Sequence, residues 1–180
     1  MNSRIRLPTA ALLTLGVMLS PLASADVITS VTADSVPVPV GNLDAVFIST
    51  KIENIAGPRS LVISYFAECQ VERGHVEYDI VVNRSILNIT ARQVPPTNDI
   101  LNALCSNDGD TTESNLRAKS VGIVVACSVT RADDYTVKVR GHVEGPGMIG
   151  PGSVDDQSLV IAQHAFSPEL PPCVFDVPGT

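Results

Sequence analysis

The chain has 180 residues, with 12 Lys and Arg against 19 Asp and Glu, four Phe, three Tyr and no Trp. That acidic balance excludes nucleic acid and anionic membrane as partners, since both demand clustered cations, and the length suits one domain rather than two. Residues 1–25 read as an export signal: Arg4 and Arg6 make a basic start, an apolar run follows, and Ala23, Ser24 and Ala25 supply a small-residue cleavage site. The apolar run is about half of the roughly 20 residues that a membrane span requires. Cleavage after Ala25 would leave ten cations against 19 acids, a net charge of −9, and a secreted or periplasmic product with no membrane span.

Residues 26–42 form an N-terminal extension or lead-in strand, and 43–163 alternate apolar with polar residues in the period of β-strands. Val46, Ile48, Thr50 and Ile52 share one face of a strand, which a Gly-Pro turn over residues 54–59 ends. Leu61, Ile63, Tyr65, Ala67, Cys69 and Val71 line the next. Arg73, Gly74 and His75 make a turn, and Val76, Tyr78, Ile80 and Val82 alternate against Glu77, Asp79 and Asn83. A short strand is expected over 86–90, then an irregular stretch over 94–120 with a helical turn at 99–104. Val121, Ile123, Val125, Cys127 and Val129 resume the alternation. They are read as one arm of a hairpin whose other arm sets Val137, Val139, Gly141 and Val143 against Lys138, Arg140, His142 and Glu144. A flexible Gly/Pro loop, 145–152, precedes a last strand over 158–163, and 164–180 is a proline-rich tail unsuited to sheet interior.

Seven or eight short strands with little helix indicate an all-β fold, an antiparallel β-sandwich of jelly-roll-like topology. A membrane barrel is disfavoured by the shortage of aromatic girdle residues. Cys69, Cys105, Cys127 and Cys173 are even in number, match no zinc spacing, and in an exported chain read as two disulfides. Spacing alone leaves three connectivities open. One of them bridges the inward positions Cys69 and Cys127 and joins Cys105 to Cys173.

"FAEC" at 66–69, "YTVKVRG" at 135–141 and "DDQSLVI" at 155–161 resemble a loose group of uncharacterised exported bacterial proteins with a jelly-roll-like β-sandwich. The resemblance implies that Cys69 pairs with Cys105, which leaves Cys127 to pair with Cys173.

Chemistry is sparse. Asp108, Asp110, Thr112 and Glu113 are the calcium candidates, because a calcium loop needs several oxygen ligands. Counted from Asp108, however, the EF-hand glycine and glutamate positions hold Glu113 and Lys119, so the stretch reads as a hydrated turn and no cofactor is expected. His142 and His164 would approach one another if their strands paired, and no third ligand is evident beside them; His75 sits in a turn. Ser153 lies near Asp155 and Asp156, but on a loop, and no G-x-S-x-G elbow exists. The expectation is a non-enzymatic binding or structural protein. It would use the loops 95–120 and 145–157 to contact an extracytoplasmic protein or glycan, and fold analogy extends this to a homo-oligomer. The alternative is a secreted hydrolase with dispersed Asp and Glu.

Overall fold

Valine, isoleucine and threonine at every second position fill a pleated surface whose two sides meet different surroundings, and the computed structural model shows strands where that period runs. It describes residues 26–41, 44–84, 92–93, 103–107, 119–144 and 152–173. Among these are ten strands: β1 (Val27–Thr32), β2 (Val36–Val38), β3 (Ala45–Ile55), β4 (Arg59–Gln70), β5 (Gly74–Arg84), β6 (Arg92–Gln93), β7 (Ala103–Asn107), β8 (Lys119–Val129), β9 (Asp133–Glu144) and β10 (Gly152–Ala165). Sheet one runs β1-β10-β4-β8, with β2 also paired to β10; sheet two runs β3-β9-β5-β6, with β7 also paired to β5. All the pairings between strands are antiparallel. Taking β1 with β2 and β6 with β7 as single strands gives orders 1-8-3-6 and 2-7-4-5, the two interleaved sheets of a jelly roll.

The core lies between the sheets. Leu61, Ile63, Tyr65 and Cys69 of β4 are 0% exposed, as are Val76 and Val82 of β5 and Val137 and Val139 of β9. The N-terminal extension is strand rather than loop, since β1 pairs along its whole length with β10 from Val27 with Ala162 to Thr32 with Gln157.

Cys69 is bonded to Cys105 and Cys127 to Cys173, the connectivity that the resemblance implies. The first bond ties β4 of sheet one to β7 of sheet two. The second draws the tail against β8, an edge strand of sheet one. There Ser128 N donates to Pro171 O at 2.8 Å, and Cys173 N donates to Ser128 O at 2.7 Å. Pro171 and Pro172 have no N–H, so the tail occupies the free edge without offering a further row of donors.

Several expectations are corrected. Val46 does not share the buried face of Ile48: a bulge between Val46 and Ile48 turns Phe47 and Ile48 both inward and leaves Val46 48% exposed. Strand β3 runs on to Ile55 and β4 begins at Arg59, so the 54–59 turn is shorter than expected. Strands β8 and β9 are not a hairpin. They belong to different sheets, with β8 paired to β4 and β9 paired to β3 and β5. Tyr135 Oη donates to Arg131 O at 2.9 Å and holds the arch between them, and nearby Arg84 Nε meets Asp133 Oδ2 at 2.9 Å in a buried ion pair.

Residues 103–104 of the expected helical turn belong to β7, and 152–157 of the expected loop belong to β10, paired with β2 and β4. A bulge between Asp155 and Ser158, with Asp156 at φ 44°, shifts the alternation by one residue and brings Gln157 into the core. Its Oε1 accepts a 2.9 Å hydrogen bond from Tyr65 Oη, and burial pushes the Tyr65 phenol pKa up. The strand expected over 86–90 lies outside the described residues.

Candidate functional site

Alternation in "HVEYD" and "VRGHVE" sends Val76, Tyr78, Val139 and Val143 inward and leaves their neighbours on the outer face of sheet two. The β5–β9 register sets His75 opposite Glu144, Glu77 opposite His142 and Asp79 opposite Arg140. Gly141 permits this closeness, because a Cβ there would run into the carbonyl oxygen of Glu77 and the ring of Phe47. At the other end Gly74, at φ 95°, opens β5 in a conformation that favours glycine.

Asp44, just before β3, completes the patch. Its Oδ1 lies 2.9 Å from His142 Nδ1, and its Oδ2 lies 3.2 Å from Arg140 Nη1. Arg140 Nη2 reaches Asp79 Oδ2 at 3.3 Å. The far nitrogen of His142, Nε2, faces Glu77 Oε2 at 3.8 Å, and His75 Nε2 faces Glu144 Oε2 at 4.0 Å. One ligand atom from each of His75, Glu77 and Glu144 can be chosen so that all three lie within 4.8 Å of one another. Burial pushes the Glu77 carboxyl up to about 7, and the adjoining Glu144 carboxyl, by hydrogen bond and charge, adds to the rise while His142 opposes it. Asp79 is also raised, first by burial, against the pull of Arg140.

Two other surfaces stand out. At the β10 bulge, carboxylates of Glu68, Asp155 and Asp156 come together. The outer face of sheet one carries three rows across four strands: Val31, Ser158, Phe66 and Gly122 form one, Thr29, Val160, Ser64 and Val124 the next, and Val27, Ala162, Val62 and Ala126 the third. None of these residues is charged. Val31 is 70% exposed and Val124 63%, and the Phe66 ring lies where a Cβ on Gly122 would sit.

The site residues read from the sequence are dispersed. The calcium candidates Asp108, Asp110, Thr112 and Glu113 lie outside the described residues. His142 and His164 belong to β9 and β10, in different sheets, so they are not brought together; His142 meets Asp44 and Glu77 instead. His75 is in strand β5, not a turn. Ser153 is likewise in a strand, where its Oγ accepts from Gln70 Nε2 at 2.7 Å; an amide cannot serve as the base that a nucleophile needs. The clustering of His75, Glu77 and Glu144 was missed because it depends on strand register.

No protein-family model and no curated protein matches the chain. Solved structures that share its fold include the VP2 subviral particle of infectious bursal disease virus, at 13% identity and a TM-score of 0.50 over 87% of this chain and 37% of that one. A structure of the Gt strain of infectious bursal disease virus aligns at 13% identity and a TM-score of 0.48 over 88% of this chain and 38% of that one. Dimeric latent PorU from Porphyromonas gingivalis aligns at 10% identity and 0.44 over 78% and 13%. The chain therefore spans well under half the length of these structures. The VP2 likeness is one of fold, an antiparallel β-sandwich of the jelly-roll kind.

Proposed function

We propose that the protein is an exported, non-enzymatic binding or structural module that associates with a second copy of itself through the outer face of sheet one. The signal-like residues 1–25 and the two disulfides support export, since such bonds persist in oxidising compartments. The uncharged grid around Phe66 carries the choice of partner. Copies of a chain at −9 repel one another over most of their surface, and a contact free of charge is where that repulsion is least. VP2, which shares the fold, was solved as a subviral particle; that assembly belongs to VP2 and only directs attention to self-association here.

Strand spacings make the grid roughly 400 Å², the size of a functional patch on a monomer. A standard interface takes about 800 Å² from each partner, so the dimer is weak and dissociates on dilution. The loops first assigned to a protein or glycan partner, 95–120 and 145–157, fall mostly outside the described residues, and 152–157 is strand. Sedimentation of the wild type over a concentration series should show monomer and dimer in exchange. Phe66→Glu and Val124→Lys should each leave monomer only. A wild type that stays monomeric, or a dimer that survives both substitutions, would refute the assignment.

The second reading, a hydrolase using Asp and Glu, has one observation in its favour. Glu77, at about 7 beside Glu144, has the proton affinity of a general acid at neutral pH. Against it, no tyrosine offers a sugar platform on this face: Tyr65 and Tyr135 are buried and Tyr78 packs on the core. Turnover of a panel of soluble glycans by the wild type, abolished in Glu77→Gln, would favour the hydrolase.

A further inference from the structure

We infer that the outer face of sheet two holds a divalent transition cation of the zinc class, bound by His75, Glu77, Glu144 and His142. This stands apart from the self-association above, which uses the opposite face of the sandwich.

Three of the four ligand atoms, one each on His75, Glu77 and Glu144, lie within 4.8 Å of one another, and the fourth, on His142, adjoins Glu77. Tetrahedral zinc with bonds of about 2.0–2.1 Å holds its ligands roughly 3.3 Å apart. His142 Nε2 lies 3.8 Å from Glu77 Oε2 and His75 Nε2 lies 4.0 Å from Glu144 Oε2, so an entering ion would draw each of these two pairs together by under about 1 Å and bring the two pairs toward each other by side-chain rotation. The adjustment is available at the rim, because the Glu144 side chain is 49% exposed. The other three are carried on paired strands of a rigid sheet, which suits a preorganised site.

Asp44 sets the chemistry of His142. With Nδ1 donating to Asp44 Oδ1 at 2.9 Å, the imidazole presents the Nε2 lone pair toward Glu77, as a carboxylate partner does for a histidine bound to zinc. Charge points the same way. Within the patch four carboxylates, on Asp44, Glu77, Asp79 and Glu144, face the single guanidinium of Arg140, and a divalent cation would offset the excess. Two imidazoles among four ligands favour zinc, copper or nickel over calcium and magnesium, which take oxygen.

Calorimetric titration of chelator-treated protein with zinc chloride tests the site. The expected result is one ion per chain and a raised thermal midpoint, neither of which calcium chloride reproduces. His75→Asn and Glu144→Gln, both at accessible positions, should each abolish stoichiometric binding while leaving the midpoint of the metal-free protein close to the wild type. Asp44→Asn should weaken binding by about 10- to 100-fold, the usual effect of losing such an outer partner. Cobalt in place of zinc should give the visible bands of a tetrahedral ion, altered in His142→Asn. Absence of binding, or binding that survives both His75→Asn and Glu144→Gln, overturns the site. A cobalt spectrum unchanged in His142→Asn overturns the assignment of its fourth ligand.

Discussion

Replacing Glu77 by glutamine removes a proton-binding group whose affinity differs between the folded and unfolded chain. Burial and Glu144 raise its pKa from 4.5 to about 7, so the folded state holds the proton more tightly and protonation favours folding. The resulting stability is fully present below about pH 4.5, is lost as pH rises through about 7, and stays lost above that. At 1.36 kcal/mol per pH unit the full effect would be about 3 kcal/mol. Solvent screening at this open face, where Glu144 is half exposed, reduces it to roughly 1–2 kcal/mol. Glutamine mimics the protonated acid. In chelator, Glu77→Gln and wild type should therefore melt together near pH 4, and the variant should exceed the wild type near pH 8 by about 3–6 °C for a domain of this size. Comparing the two proteins cancels the titrating groups that do not act on Glu77, such as Asp134, lowered by the Asn54 backbone and Lys51. A difference that is constant with pH, or that grows toward acid, would refute the reasoning.

Three further substitutions probe the frame. Tyr65→Phe strands the buried Oε1 of Gln157 and should cost about 1–3 kcal/mol in urea denaturation, most of it recovered when Gln157→Leu removes the other partner as well. Asp133→Ala takes the carboxylate from the buried Arg84 guanidinium and should lower stability by about 3 kcal/mol in the same assay. Cys127→Ser with Cys173→Ser opens a 46-residue separation. Chain entropy puts the loss near 4 kcal/mol, and light scattering should show aggregation as the tail leaves the β8 edge.

Strand identity was legible wherever one face of a strand is buried and unbroken. Along β4 and the residue that follows it, every second residue from Leu61 to Val71 was assigned to the core, and all six are at most 4% exposed. The reading failed where one extra residue enters a strand. At Phe47 and at Asp156 the alternation changes phase, and a period-2 pattern cannot distinguish a bulge from the end of a strand. It failed differently at β8 and β9. Two strands joined by a short turn show the same alternation whether they lie side by side in one sheet or pass into different sheets, and only the partners supplied by β3, β4 and β5 decide between these arrangements.

The candidate site carries that lesson further, since its residue types were in view and its existence was not. Glu77, His142 and Glu144 were each visible as outward positions of alternating segments and His75 was read in a turn, yet Glu77 and His142 stand far apart in the sequence. They meet because the register places Glu77 opposite His142; a slip of one residue would reverse the face that β9 presents. The local sign was Gly141, an interruption in a valine-rich strand. Glycine inside a strand often marks a close approach of another backbone, and here β5 arrives at Glu77. A substitution at Gly141 should therefore act on the metal affinity of the patch as well as on the fold. Gly141→Ala must push β5 from β9 where Glu77 and His142 face each other, so zinc binding should weaken in any fraction of the variant that remains folded. Unchanged zinc affinity in a folded Gly141→Ala protein would show that the strand contact does not hold the ligands in place.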